Sequence, residues 1–181
     1  AIETAFGLMI ALLLSYLCLF GRLGVCVYYY IYCLNKPMMV GILMAVPTAA
    51  GIIPQYLVPK IKASKRLLVI IAFVMRAVTL FGIFMTDFSN IKMIIILLVI
   101  NGIFCYDMGL LMGLIAPFID DAEVRTHIRL DGTVYAFLNL FLKVASAVGA
   151  SIGLVIMGAM GYVANAQQTP EALQGINIAS N

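Results

Sequence analysis

Long, nearly unbroken apolar runs alternate along this chain with short polar breaks. A helix rises about 1.5 Å per residue, so crossing a hydrocarbon core about 30 Å thick takes about 20 mostly apolar residues. Five runs reach that length: residues 6–34, 38–58, 67–85, 91–118 and 133–163. They are continuous rather than alternating over segments of about ten residues, which excludes the strands of a membrane barrel. The first run ends in the tyrosine cluster Tyr28–Tyr32, which predicts an aromatic belt at the membrane surface. Asn35, Lys36 and Pro37 break the chain before the second run, where Pro47, Gly51 and Pro54 predict a kinked or partly unwound helix. Further on, Thr169 as N-cap, Pro170 at the first helical position and Glu171 in the first turn predict a helix from about residue 170. The sequence stops at Asn181, before that helix could cross a membrane, and lacks an initiating Met, so a fragment of a longer protein is expected.

Composition narrows the class. Hydrophobic residues make up 64% of the 181 residues and charged residues only 10%, too much apolar surface for water to tolerate. In lipid every backbone polar group must be satisfied within the protein, so an all-α membrane protein is predicted: five transmembrane helices plus the start of a sixth. The net charge of +3 comes from scattered basic residues, which argues against nucleic acid as a partner. Cys18, Cys26, Cys33 and Cys105 fall in apolar runs without metal-ligand spacing and read as small hydrophobes. The basic residues set an orientation. Lys60, Lys62, Lys65 and Arg66 lie between the second and third runs, and Arg125 and Arg129 between the fourth and fifth. The positive-inside rule puts both loops, and the N-terminus of this segment, on the cytoplasmic side of the cell's inner (plasma) membrane.

Four ionisable residues lie deep within the runs: Arg22, Arg76, Asp107 and Lys143. Counted from the run ends, Arg76, Asp107 and Lys143 are each roughly 14–17 Å deep. A charge at a helix centre costs at least about 2.5–3.5 kcal/mol on insertion scales, so each should meet a partner or a water-filled cavity. Arg76 and Asp107 can pair on adjacent helices, or Asp107 can belong to a pathway. Three cations against one acid leave a positive surplus. Steps of three and four residues put Tyr135, Asn139, Lys143 and Ser146 on one helix face, and Gly149 with Gly153 forms a pair suited to close helix contact. That pattern makes Lys143 the first candidate for a polar pathway. A single acid within the runs, and a sole histidine outside them, argue against an intramembrane enzyme.

The stretch APFIDDAEVRTHIRLDG and the helix after it resemble the glycoside–pentoside–hexuronide:cation symporter family, the melibiose-permease branch of the major facilitator superfamily. Ala116, Asp120, Glu123, Arg125, Thr126, Arg129 and Gly132 match its loop pattern, with Asp131 in place of a Glu. Lys143 falls on the family's helix Lys, and GYVANAQQTPEALQGI resembles its following loop. Pro117 stands where the family has Asp, Asp121 where it has Tyr and His127 where it has Gly. Asp107 has no counterpart in the pattern.

The resemblance covers nearly the whole chain and implies the C-terminal half of a twelve-helix major facilitator fold. The implied function is cation-coupled symport, with Na⁺ or H⁺, of a sugar or glycoside by alternating access. Partners would be a missing N-terminal six-helix half, the sugar and membrane lipid. No cofactor is expected beyond the coupling ion. Lys143 would reach the cation site on the other half, with Asn139, Tyr135, Ser146, Arg22 and Asp107 along the pathway. Asp120, Glu123, Arg125, Arg129 and Asp131 would form a cytoplasmic gate. The alternatives are a non-transporting fragment of a split or truncated gene and a lipid or drug carrier of the same superfamily.

Overall fold

The computed structural model describes residues 2–127, 131–164 and 166–181. Among these residues every regular element is helical. Helix α1 (Ile2–Tyr28) runs on into a π-helical turn, Tyr29–Cys33. It is followed by α2 (Val40–Leu57), α3 (Lys65–Met85), α4 (Ile91–Ile103), α5 (Asp107–Gly113), α6 (Ile115–Thr126), α7 (Asp131–Ala159) and α8 (Pro170–Ser180). Among the described residues five helical segments are long and apolar enough to cross a membrane: Gly7–Cys33, Pro37–Lys60, Lys65–Met85, Ile91–Asp121 and Asp131–Ala159.

Small residues bring the helices together. Gly149 and Gly153 of α7 are buried and face α1. A Cβ on Gly149 would lie 2.8 Å from the Leu17 carbonyl oxygen and 2.9 Å from the Gly21 nitrogen. Backbone therefore packs on backbone, as small residues permit in lipid. Helix α2 meets α4 in the same way. A Cβ on Gly102 would overlap the Pro47 carbonyl, and one on Gly51 would stand 3.0 Å from the Gly102 oxygen. Helix α8 starts as expected, with the Thr169 hydroxyl accepting from the Ala172 amide at 3.2 Å and Pro170 in the first turn.

Three local expectations need correction. Of the kink or partial unwinding expected in the second span, the unwinding does not occur: α2 is an uninterrupted α-helix with Pro47 and Pro54 inside it. Proline disturbs the carbonyls of the preceding turn, and the Thr48 hydroxyl donates to one of them, the Met44 carbonyl, at 3.2 Å. The break comes instead in the fourth span, where turns at Phe104–Tyr106 and Leu114 separate α4, α5 and α6. The Gln55 side-chain amide donates to the Cys105 carbonyl at 3.2 Å, which satisfies an acceptor that the break releases.

The tyrosines are the third correction. Tyr29 and Tyr30 are 2% and 3% exposed and belong to the core, not to a surface belt. Tyr28 and Tyr32 stack on each other, and both meet the ring of Tyr162 edge-on. Ring pairs in these geometries add to burial, so the cluster ties the end of α1 to the segment after α7.

The buried apolar residues form two cores. One contains Val25, Tyr29, Leu43, Leu80, Ile83, Ile94 and Leu98; the other contains Leu12, Tyr16, Val69, Ala72, Tyr106, Leu110 and Leu138. On α1 the intramembrane charge at position 22 falls between the two sets, and on α3 so does the one at 76. Along the fourth span Asn101 falls between them. A polar layer thus separates two apolar ones.

Candidate functional site

The polar layer is one connected chain of hydrogen bonds. Arg22 of α1 donates through an Nη to the Asn101 side-chain oxygen at 3.0 Å. The Asn101 amide donates to the Thr79 hydroxyl at 2.8 Å, and that hydroxyl donates to the Arg76 carbonyl at 2.9 Å. The Arg76 guanidinium donates in turn to both Asp107 carboxylate oxygens, at 3.0 and 2.9 Å. Asp107 has no solvent exposure and Arg76 has 9%. Desolvation makes each of these charges costly alone, and close pairing offsets that cost. The pairing of Arg76 with Asp107 is therefore a structural fact of this fold. Among the described residues the buried Nε of Arg76 has no hydrogen-bond partner.

Beside this chain of bonds lies a cavity of about 340 Å³ between α1, α2 and α4, reaching the broken segment. Ligand pockets begin at about that size. Arg22, Arg76, Asn101, Thr48 and Gln55 supply its polar wall; Cys26, Tyr30, Met44, Pro47 and Met108 supply apolar wall. Cys105, on the break itself, also lines it. Each contributor has a local cause. Pro47 and Gly102 bring α2 and α4 into backbone contact, and the break after α4 turns Cys105 toward Gln55.

The sequence-predicted site residues divide between this layer and other places. Arg22 lines the cavity, and Asp107 lies behind it, fully buried against Arg76. Lys143, Asn139 and Tyr135 are exposed on α7, Ser146 is half-buried, and none of the four is on the cavity wall. The Ser146 hydroxyl donates to the Lys143 carbonyl at 2.9 Å. Asp120 is exposed near the end of α6, and Asp131 sits in the first turn of α7. Glu123 and Asp131 each engage a neighbour. Arg129 lies outside the described residues, as does the Arg125 side chain. His127 ends α6 in the left-handed region, at φ 55°, a conformation glycine adopts without strain. That is where the resembled family carries Gly.

Sequence reasoning missed Asn101, Thr79, Gln55 and Thr48. Uncharged polar residues cost less in lipid than charges, so they raise no alarm one at a time. The available signals were Thr79, one turn after Arg76, and the pair Asn101–Gly102 interrupting an otherwise apolar run.

The sequence profile of the MFS/sugar transport protein family matches residues 4–180. The uncharacterized symporter YnaJ of Bacillus subtilis (strain 168) is 40% identical over 70 residues, which cover 39% of this chain and 15% of that protein. The glucuronide carrier protein homolog of Escherichia coli (strain K12) is 36% identical over 69 residues, 38% of this chain and 15% of the relative. The isoprimeverose transporter of Lactiplantibacillus pentosus is 31% identical over 70 residues, 39% and 15%. This chain spans less than half the length of these relatives. No solved structure is significantly similar to it.

Proposed function

We propose, from the premise that this chain belongs to the MFS/sugar transport protein family, that it is half of a secondary active transporter carrying a sugar together with Na⁺ or H⁺. The family is one of transporters, not of enzymes. The observation that carries the reading is the polar layer from Arg22 to Asp107 with the cavity at its edge, set between two apolar cores. Ionisable groups inside a membrane are retained where a polar pathway needs them. Transporter sites are commonly built at helix breaks near the midplane, and this cavity reaches the interruption at Phe104–Tyr106.

In this reading the chain is the C-terminal half, and an N-terminal six-helix half closes the pathway. The relatives' names, a symporter, a glucuronide carrier homolog and an isoprimeverose transporter, favour a sugar or glycoside as cargo. Lys143, with Asn139, Tyr135 and Ser146 on its face of α7, reaches toward the other half and its coupling site. Asp120, Glu123, Arg125, Arg129 and Asp131 form the cytoplasmic gate. The membrane is the cell's inner membrane, with the basic loop at Lys60–Arg66 inside.

The test is uptake of labelled glycosides into proteoliposomes holding the full-length protein, with and without an inward Na⁺ or H⁺ gradient. Gradient-driven accumulation is expected. Lys143→Gln should abolish that accumulation while sparing exchange of sugar at equal concentrations on both sides. Uptake that ignores both gradients, or a Lys143→Gln protein that accumulates sugar normally, would refute the reading.

A further inference from the structure

We infer that the loop between α2 and α3 is a binding site for the phosphate headgroup of an anionic phospholipid, held by Lys60, Lys62, Lys65 and Arg66. The site lies apart from the cavity and is independent of what the cavity carries.

Charge on the loop makes it an anion site. Residues 60–66 include these four basic side chains, and the sequence from residue 4 to residue 86 contains no Asp or Glu. Lys60, Lys62 and Arg66 are exposed, and Lys65 is half-buried. Among the described residues the only ion pair is that of Arg76 with Asp107, so no described carboxylate matches any of the four. The basic residues between α6 and α7 differ in this respect, because Asp120, Asp121, Glu123 and Asp131 accompany Arg125 and Arg129. Four like charges on so short a loop repel one another, and an anion among them removes that cost.

Place selects which anion. One membrane-spanning segment ends at Lys60 and the next begins at Lys65, so only residues 61–64 lie between them. A chain that short, going out and returning, rises less than about 10 Å, the scale of the headgroup layer. Lipid phosphates are therefore the anions within its reach. The turn is held at that depth. Val58 is buried in the second apolar core, and the Lys65 ammonium donates to the Pro59 carbonyl. The Lys60 ammonium stands over the exposed ring of Tyr56, 3.6 Å from its centre, and tyrosine favours the membrane interface. Ile61 and Leu67 are also exposed and offer apolar contact to acyl chains beside the cations. A zwitterionic lipid brings an ammonium that already balances its phosphate, whereas an anionic one does not. Each basic residue at an anionic membrane surface is worth about fivefold in affinity.

The experiment offers the full-length protein in detergent equal amounts of dioleoylphosphatidylglycerol and dioleoylphosphatidylcholine, which share acyl chains and differ in headgroup charge. Mass spectrometry of the intact complexes reads which lipid is retained. The wild type should prefer phosphatidylglycerol by about 10- to 100-fold, less than the product of four such factors because salt screens exposed charges. Lys62→Gln with Arg66→Gln should cut that preference about tenfold, and Lys62→Arg with Arg66→Lys should keep it. sn-Glycerol 3-phosphate at the same concentration should displace no lipid. The wild-type comparison needs no variant, so a misfolded double variant would not shield the idea. Equal retention of both lipids by the wild type would overturn it. So would a folded Gln variant with the full preference, because another surface would then hold the lipid. Displacement by glycerol phosphate would overturn it too, since the loop would then answer a free phosphate rather than a membrane.

Discussion

Asp107 is fully buried and gives both oxygens to one Arg76 nitrogen. Removing one partner of such a pair strands the other charge in a low-dielectric interior. Asp107→Asn should therefore destabilise the folded protein by about 3–5 kcal/mol, whereas the double change Arg76→Met, Asp107→Leu should restore most of the loss. Thermal unfolding in detergent reads this directly, and a single variant as stable as the wild type would show that the pair contributes nothing. His127 supports a smaller prediction. It holds φ 55° at the end of α6, so His127→Gly should raise stability by up to about 1 kcal/mol, since glycine enters the left-handed region without the Cβ clash. At this scale the charges were legible because each is expensive in lipid. Their neutral links, Asn101 and Thr79, were not, because a single amide or hydroxyl in an apolar run has several innocuous explanations.

Helix contacts sort the glycines into those that act as interfaces and those that do not. Gly149 lies against α1 backbone, with Leu17 O and Gly21 N at 2.8 and 2.9 Å from any added Cβ, whereas Gly158 has nothing within 4 Å of that position. Gly149→Ala should cost about 1–3 kcal/mol as an overpacked contact. Gly158→Ala should be neutral or slightly stabilising, because Ala is the better helix former. Equal melting temperatures for the two variants would mean that α1 and α7 do not pack as described. The Gly149–Gly153 contact could be read in advance because its four-residue spacing repeats one helix face. The break at Phe104–Tyr106 could not, because hydrophobicity stays high through it and the backbone groups it releases find partners far away in sequence, such as Gln55 for the Cys105 carbonyl. At the prolines it is the expected unwinding that does not occur. Helix α2 keeps both Pro47 and Pro54 within one α-helix, with Thr48 bonded back to Met44 beside the first.

For the whole molecule, the family resemblance carried more than periodicity did. Long apolar runs establish that the chain crosses a membrane many times. They do not say which helices touch, because helix pairing depends on small residues and buried polar groups that hydropathy averages away. The proposed orientation has its own test. Cysteines at Lys62 and Gln168, in loops that the proposed orientation puts on opposite sides of the membrane, should react differently with a membrane-impermeant maleimide on intact cells: Gln168→Cys labelled, Lys62→Cys protected until the cells are opened. The reverse pattern would invert the chain in the membrane.

The claim that joins these scales is that the cavity beside Arg22 is the sugar's path, and Cys105 reports on it from the broken segment of the wall. The most direct measurement is the alkylation rate of Cys105 in the full-length protein, with Cys105→Ser as the blank, as transported sugar is added. The account predicts that sugar at ten times its dissociation constant slows the reaction about tenfold, as mass action on an occluded site requires. A rate unchanged by saturating sugar would place the path elsewhere.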